Sequence, residues 1–426
     1  MTAGVGRHRL SSGQLGEIAW GRVRPEVIRV LYAADDSRNR LLAAHALERA
    51  GARDSRIVEA LAVLREAQRR DEREVAGLLR AGWFGPWVAR LLDRPDAAGS
   101  AESRLVPLAA VAAVRTGVRT RLVVRASGGR LHLPTMGALT VPAQAEVVLD
   151  VADGLVAEVD GTRLRLPAER GPNWTPVREM ALAGLRLLVD DQHPDRDCFR
   201  KPLAEALSAA DFARWRDLFT ESWALLTRFT PELAEQVGQG LRVLVPLAPA
   251  PNGDGASVSC VDALGALATT MPMNAADGAI TLVHEWSHTL LNGVLGFGRL
   301  YDPESPELFF APWRRDPRPL GGTLHGSFAF LTVAETWRAL MAEETWHARA
   351  AAEFALCRLQ VGEVLEALLR SAGLTEQGRR FVVMLRERHR ALLETYVRPE
   401  VAAEAVARLA GQKAAWVDQY GIRPTG

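Results

Sequence analysis

The sequence predicts an α+β protein, predominantly α-helical, and three observations carry that prediction. Apolar residues recur at three- and four-residue steps from Pro25 to Leu92 and again through 346–370, 376–396 and 400–419. Between about 118 and 167 the period drops to two, with an Asp160-Gly161 pair between alternating runs. An apolar helix then opens at Asn274 and carries His284-Glu285-Trp286-Ser287-His288, an H-E-x-x-H arrangement. Three regions follow: a helical region over 1–103, a small β-rich unit over 104–170, and 171–426 with the HExxH helix and the C-terminal helices.

Taken in order, a short helix is expected near Gly13 to Gly21. Helices then follow through Leu92, with Asp35-Asp36-Ser37 and Asp54-Ser55 as start signals. Trp83, Phe84 and Trp87 form a packing cluster, and 93–103 reads as linker. Leu105 to Val114 is a buried helix, too short to span a bilayer. Strands are expected at Val118–Ala126, Arg130–Leu133, Ala145–Val151, Leu155–Val159 and Thr162–Leu166. Val177 to Val189 reads as helix, followed by a loop with Asp190, Asp191, His193, Asp195 and Asp197. Leu203 to Phe229 is helical, with Trp215, Phe219 and Trp223 as core. Pro231 sits at the first position of the next helix. Leu241 to Leu247 is a strand, Pro249 to Gly255 a loop, and Val258 to Met271 one or two strands. His8, His132, His347 and His389 are expected in solvated surroundings, and His45 on a structural helix.

The chemistry concentrates between Asn274 and Arg338. On an α-helix, residues i and i+4 lie about 40° apart in azimuth and one turn apart, so His284 and His288 can offer two imidazole nitrogens to one metal ion. Glu285 is rotated by about 100° and can reach a metal-bound water or orient a ligand. Asn274 is the expected N-cap with Asp277 as its partner, and Gly293 the expected stop. A third ligand is open between His325 and Glu335, both on a helix expected from Thr323 to Glu344. Ten residues place them about 15 Å apart along the axis, so one continuous helix cannot bring both to one ion. A Glu would complete a zinc peptidase site of the thermolysin type, whereas a third His suits Zn²⁺ or Fe(II). His325 has the better context, at a helix start just after Gly321-Gly322; Glu335 is expected to pair with Arg338. Between the two helices runs Ala311-Pro312-Trp313-Arg314-Arg315-Asp316-Pro317-Arg318-Pro319, whose prolines stiffen a loop of three arginines. Such a loop beside a metal helix suits an anion, with Arg318 the first choice of carboxylate partner and Arg314 the second.

HEWSH, PWRRDPRPLGGTLHG and AFxxVAExWR together resemble the HExxH-type peptide β-hydroxylases of ribosomal-peptide maturation. So do PNWTPVREMALAGLRLLVDDQHPDRD at 172–197, SVSCVDALGALATTMP at 257–272 and HRLSSGQLGEIAWG at 8–21. The resemblance implies an Fe(II)- and 2-oxoglutarate-dependent enzyme that uses O2 to hydroxylate the β-carbon of a residue in a precursor peptide. It implies His284, His288 and His325 as iron ligands and a loop arginine on the 2-oxoglutarate carboxylate. Two other readings stand beside it: a zinc metallopeptidase with Glu285 as general base, and a non-catalytic peptide-binding protein with a structural metal.

Composition sets the remaining expectations. Over 426 residues, 48% apolar and 24% charged content describes an ordinary globular chain. A net charge of +1 gives no bulk attraction to nucleic acid or acidic membrane. Cys198, Cys260 and Cys357 are sparse and odd in number, which gives no disulfide framework and fits a reducing cytoplasm.

Overall fold

A computed structural model describes residues 5–49, 54–94, 99–167, 170–250, 253 and 255–421. Parts of the expected linker at 93–103 and of the expected loop at Pro249 to Gly255 lie outside these residues. The described chain is rich in helix, with several small sheets.

The N-terminal helices are α1 (Ser12–Ala19), α2 (Pro25–Arg49), α3 (Ser55–Arg70), α4 (Glu72–Leu79), α5 (Phe84–Asp93) and α6 (Gly99–Thr116). Asp54 caps α3 through its carboxylate. Asp35-Asp36-Ser37 does not start a helix, because α2 runs through it unbroken. There Asp35 accepts a hydrogen bond from Asn39 one turn on, and the Ser37 hydroxyl meets the His8 ring at 2.8 Å, so these polar groups find partners without breaking the helix. Position 103/104 falls inside α6, which packs on α3 and on the strands that follow.

The β-rich unit holds β1 (Thr120–Arg125), β2 (Arg130–Leu133), β3 (Gly137–Thr140), β4 (Glu146–Val151), β5 (Leu155–Val159), β6 (Thr162–Leu166) and β7 (Trp174–Pro176). They form an antiparallel sheet in the order β1-β4-β5-β6 and a smaller one in the order β2-β3-β7. Asp160 and Gly161 turn β5 into β6, both at positive φ, the geometry a two-residue hairpin needs. α3 to α6 and both sheets share one apolar core.

The helix expected at Val177 to Val189 is instead a hairpin, β8 (Arg178–Leu182) and β9 (Leu185–Val189). Met180, Leu185, Leu187 and Val189 alternate inward with period two, and Gly184 at φ +90° makes the turn that a helix could not contain. A 3-10 helix, Pro194–Phe199, follows, then α7 (Ala209–Phe229), α8 (Pro231–Gly240), β10 (Val243–Pro246), β11 (Ser257–Ser259) and β12 (Ala266–Thr269). These strands build a five-stranded mixed sheet in the order β11-β12-β10-β9-β8, with β11 antiparallel to β12 at one edge.

Next come α9 (Ala275–Leu295), the two-residue strands β13 (Leu308–Phe309) and β14 (Arg318–Pro319), α10 (Leu320–Leu340), α11 (His347–Arg370), α12 (Glu376–Leu393) and α13 (Pro399–Tyr420). Asn274 caps α9 by accepting the Asp277 N–H at 3.0 Å. Gly293 does not stop α9: the helix continues to Leu295 and caps at Gly296, because Gly293 lies against Leu31 where a side chain would crowd. α9 and α10 pack against each other in the main core, α9 lies over β11, and α11 covers the other side of α10. No helix among the described residues is long and apolar enough to cross a membrane.

Candidate functional site

The chain presents α9 and α10 with their histidines on facing sides. His284 and His288 lie one turn apart, with Nε2 of each 3.0 Å from the other and the rings edge to face. Two nitrogens at right angles around an ion 2.0–2.1 Å away are separated by about 3.0 Å, so this pair already has the spacing of adjacent ligands. His325 of α10 stands across from them, its Nδ1 3.4 Å from Nδ1 of His288. His288 thus presents a different nitrogen to each neighbour, and a shared ion requires a side-chain rotation at His288 or His325. As they stand, no three or more His, Cys, Asp or Glu side chains among the described residues are placed so that they could hold a metal ion.

All three imidazoles are held neutral. Burial pushes His284 and His325 down to about 4. Burial drives His288 well below the usual range too, aided by His284, His325 and the Arg318 guanidinium. Neutral imidazole is the form that can ligate a metal.

Glu285 is fully buried beneath this pair. The Ser257 hydroxyl donates to its Oε1 at 2.6 Å, and Oε1 lies 3.9 Å from Nε2 of His284. Its Oε2 is buried with no hydrogen-bond partner, a costly condition for a carboxylate and a sign of a missing donor or cation. Burial pushes the carboxyl up to about 7, against the opposing pull of the Ser257 and Ser259 hydroxyls.

The imidazoles open on a cavity of about 440 Å³. Arg314 and Arg318 line it together with Glu285 and the stacked pair of Trp313 and Phe330, whose ring centroids are 4.6 Å apart. Asp316 joins the two arginines, accepting from Arg314 Nε at 3.0 Å and from Arg318 Nη1 at 3.2 Å. Both stay partly open to solvent, so each keeps free N–H groups for an anion. α10 makes room through glycine. A Cβ on Gly322 would lie 2.8 Å from the Arg318 guanidinium, and one on Gly326 would lie 2.5 Å from the Trp313 indole. The glycines flank His325 on the same face, so the helix backbone itself forms the floor under the loop.

Glu335 is the residue the fold does not bring here. It lies ten positions along α10 in a different hollow and pairs with Arg388 of α12 rather than with Arg338, accepting from Nε at 2.7 Å. Tertiary packing supplies a buried guanidinium, and that partner outcompetes the exposed Arg338 one turn away.

The chain matches no family model and no curated protein.

Sequence reasoning missed several lining residues. Ser257 and Ser259 alternate around Val258, a strand pattern that puts both hydroxyls on one face toward Glu285. Gly326, four residues after the Gly322 already singled out, was also legible. Trp313, Phe330 and Asn292 carried no such signal, because an aromatic in a loop or an Asn in a helix reads the same whether or not a cavity lies beside it. Two other histidines sit differently from expectation. His389 is buried, its Nε2 2.7 Å from the Arg358 carbonyl. His132 is partly buried against the His193 ring at 5.4 Å, because β2 packs onto the loop after β9.

Proposed function

We propose that this chain is an Fe(II)- and 2-oxoglutarate-dependent oxygenase that hydroxylates the β-carbon of a residue in a ribosomally made precursor peptide. The supporting observation is the shared cavity, in which two loop arginines and three neutral imidazoles face one space of about 440 Å³. His284, His288 and His325 would hold the iron, which supplies the activation of O2 when bound. The chain's own residues do the rest. Arg318, laid across Gly322 and steadied by Asp316, takes the distal carboxylate of the keto acid, with Arg314 beside it. Trp313 and Phe330 form a flat apolar wall against which a substrate side chain can be held away from water. Glu285 is held by Ser257 beside His284, its Oε1 3.9 Å from Nε2 of that ring. The volume matches a small dicarboxylate with one peptide side chain.

A zinc metallopeptidase is the second reading, favoured by one observation: Glu285 lines the same cavity with an unpartnered oxygen, as a general base would. Anaerobic purification, loading with Fe(II) and exposure to O2, 2-oxoglutarate and the precursor peptide separates the two. A gain of one oxygen on an intact peptide, with 2-oxoglutarate consumed, supports the oxygenase. Two shorter products, formed without the keto acid, would replace it with the peptidase.

A further inference from the structure

The arginine loop borders a second space. A cavity of about 650 Å³ lies between that loop, α11 and α13. Trp313, Arg314 and Phe330 line both this cavity and the one at the imidazoles. The Phe330 ring is stacked on Trp313 and lies 5.3 Å from the His284 ring, so the two cavities are neighbours across one aromatic pair. Charge in the second cavity is lopsided. Arg314, Arg315 and Arg408 line it against a single carboxylate, Glu353. Glu353 is 3.8 Å from Arg408, and Arg314 is tied to Asp316. Arg315 is exposed and makes no ion pair among the described residues. The apolar lining includes Trp416 of α13, only 3% exposed and edge to face with Phe310 at 5.5 Å. Its indole N–H is buried with no acceptor among the described residues, although a buried indole N–H ordinarily has one.

We propose that this second cavity binds the stretch of the peptide substrate that flanks the residue to be modified, and that it selects an acidic side chain there. This rests on the imidazole cavity acting on a peptide, and it adds which peptides are taken. An extended peptide advances about 3.3 Å per residue. A chain that passes the Phe330 ring therefore brings residues about two or three positions from the modified one between α11 and α13. A guanidinium holds a carboxylate through two parallel N–H···O bonds. Arg315, with no competing carboxylate, is the principal partner, and Arg408 with its long contact to Glu353 is the second. Trp416 gives its indole N–H to a backbone carbonyl of the bound peptide. A lysine or arginine in the same place would meet three like charges.

The test is fluorescence anisotropy with the full chain and three labelled hexapeptides, in which Ala alternates with Glu, Gln or Lys. The Glu peptide is expected to bind roughly tenfold or more tightly than the other two, and less tightly as salt is raised. Arg315 and Arg408 line the second cavity and not the first, so Arg315→Glu together with Arg408→Glu should remove the preference even though Arg314 and Arg318 remain. Both side chains are exposed, and an unchanged unfolding midpoint shows that the fold is kept. Equal binding of the three peptides, or a preference that survives the double variant, would overturn the proposal. Displacement by free glutarate as readily as by unlabelled Glu peptide would also overturn it, assigning the cavity to small anions. Binding is read without turnover, which separates this inference from the oxygenase reading. A peptide bound with the acidic preference but gaining no oxygen counts against the reading and for the cavity. A peptide hydroxylated with no such preference counts the other way.

Discussion

The molecule buries imidazoles together in two places, and only one of them has the makings of a site. In the first, His284, His288 and His325 border a cavity of about 440 Å³ with two arginines and a carboxylate that has an orphaned oxygen. In the second, His132 and His193 meet beside Trp83 around a space of only about 30 Å³. Burial keeps the rings neutral in both, so neutrality does not distinguish them. What differs is employment. His193 already serves the fold, its Nδ1 accepting the Asp195 N–H at 3.2 Å to cap the 3-10 helix. Asp195 beside it is claimed by Arg104 at 2.6 Å. The polar groups of the second cluster, with His193 Nε2 and Gln192 Nε2 left unpartnered, face a space that holds a water or two. Those of the first are aimed at room for a ligand.

Loss of metal is where this contrast is sharpest. His288→Ala is expected to weaken Fe(II) or Zn²⁺ binding by more than the roughly 10–100-fold seen when an outer partner is lost. His193→Ala leaves metal content unchanged and lowers stability by about 1–3 kcal/mol. Metal content after dialysis, set beside denaturant unfolding, measures both, and metal loss in His193→Ala would erase the distinction. The Glu335 position carries the next largest effect. Glu335→Ala strands the buried Arg388 guanidinium and costs about 3 kcal/mol, without loss of metal. Loss of the metal there, with His325→Ala retaining it, would move the centre down α10 and favour the peptidase.

Arg318→Ala should weaken 2-oxoglutarate binding by roughly tenfold to a hundredfold, from about 1.5–3 kcal/mol per charge-assisted hydrogen bond, with iron affinity nearly intact. Calorimetric titration of the iron-loaded protein reads this, and unchanged keto-acid affinity would transfer the role to Arg314. The remaining effect lies in the second cluster and depends on pH. His132 is pushed down to about 2 by burial, while in the unfolded chain it titrates near 6.5. Below about pH 6.5 the unfolded chain gains a proton that the folded one refuses. The stability of the neutral buried ring is therefore complete above that pH and declines as pH falls toward 2, by up to about 1.4 kcal/mol per unit. His132→Leu should flatten the stability profile between pH 6.5 and 4; an unaltered slope would show that His132 takes up its proton in the folded state.

Helices with a marked apolar period, such as α11, α12 and α13, were legible because one face must meet a core whatever that core is. So was the hairpin at Asp160-Gly161, whose turn geometry few other pairs can adopt. The hairpin of β8 and β9 was read as helix because Leu185, Leu187, Leu188 and Val189 crowd too many apolar residues together for either period to stand out. The i, i+4 adjacency of His284 and His288, the Asn274 cap and the stiff arginine loop needed only the sequence.

By itself, then, the sequence determined many of the local pieces: the helices with a clear apolar period, that two imidazoles share one helical face, and that three arginines sit on a proline-stiffened loop. Only the tertiary structure decided which pieces share a space. It brought His325 to the pair and sent Glu335 to Arg388. It set Ser257 under Glu285 and laid Arg318 over Gly322. The reason is that helix and strand geometry fixes neighbours within a few residues, whereas contacts between distant segments follow from how whole apolar faces pack against one another.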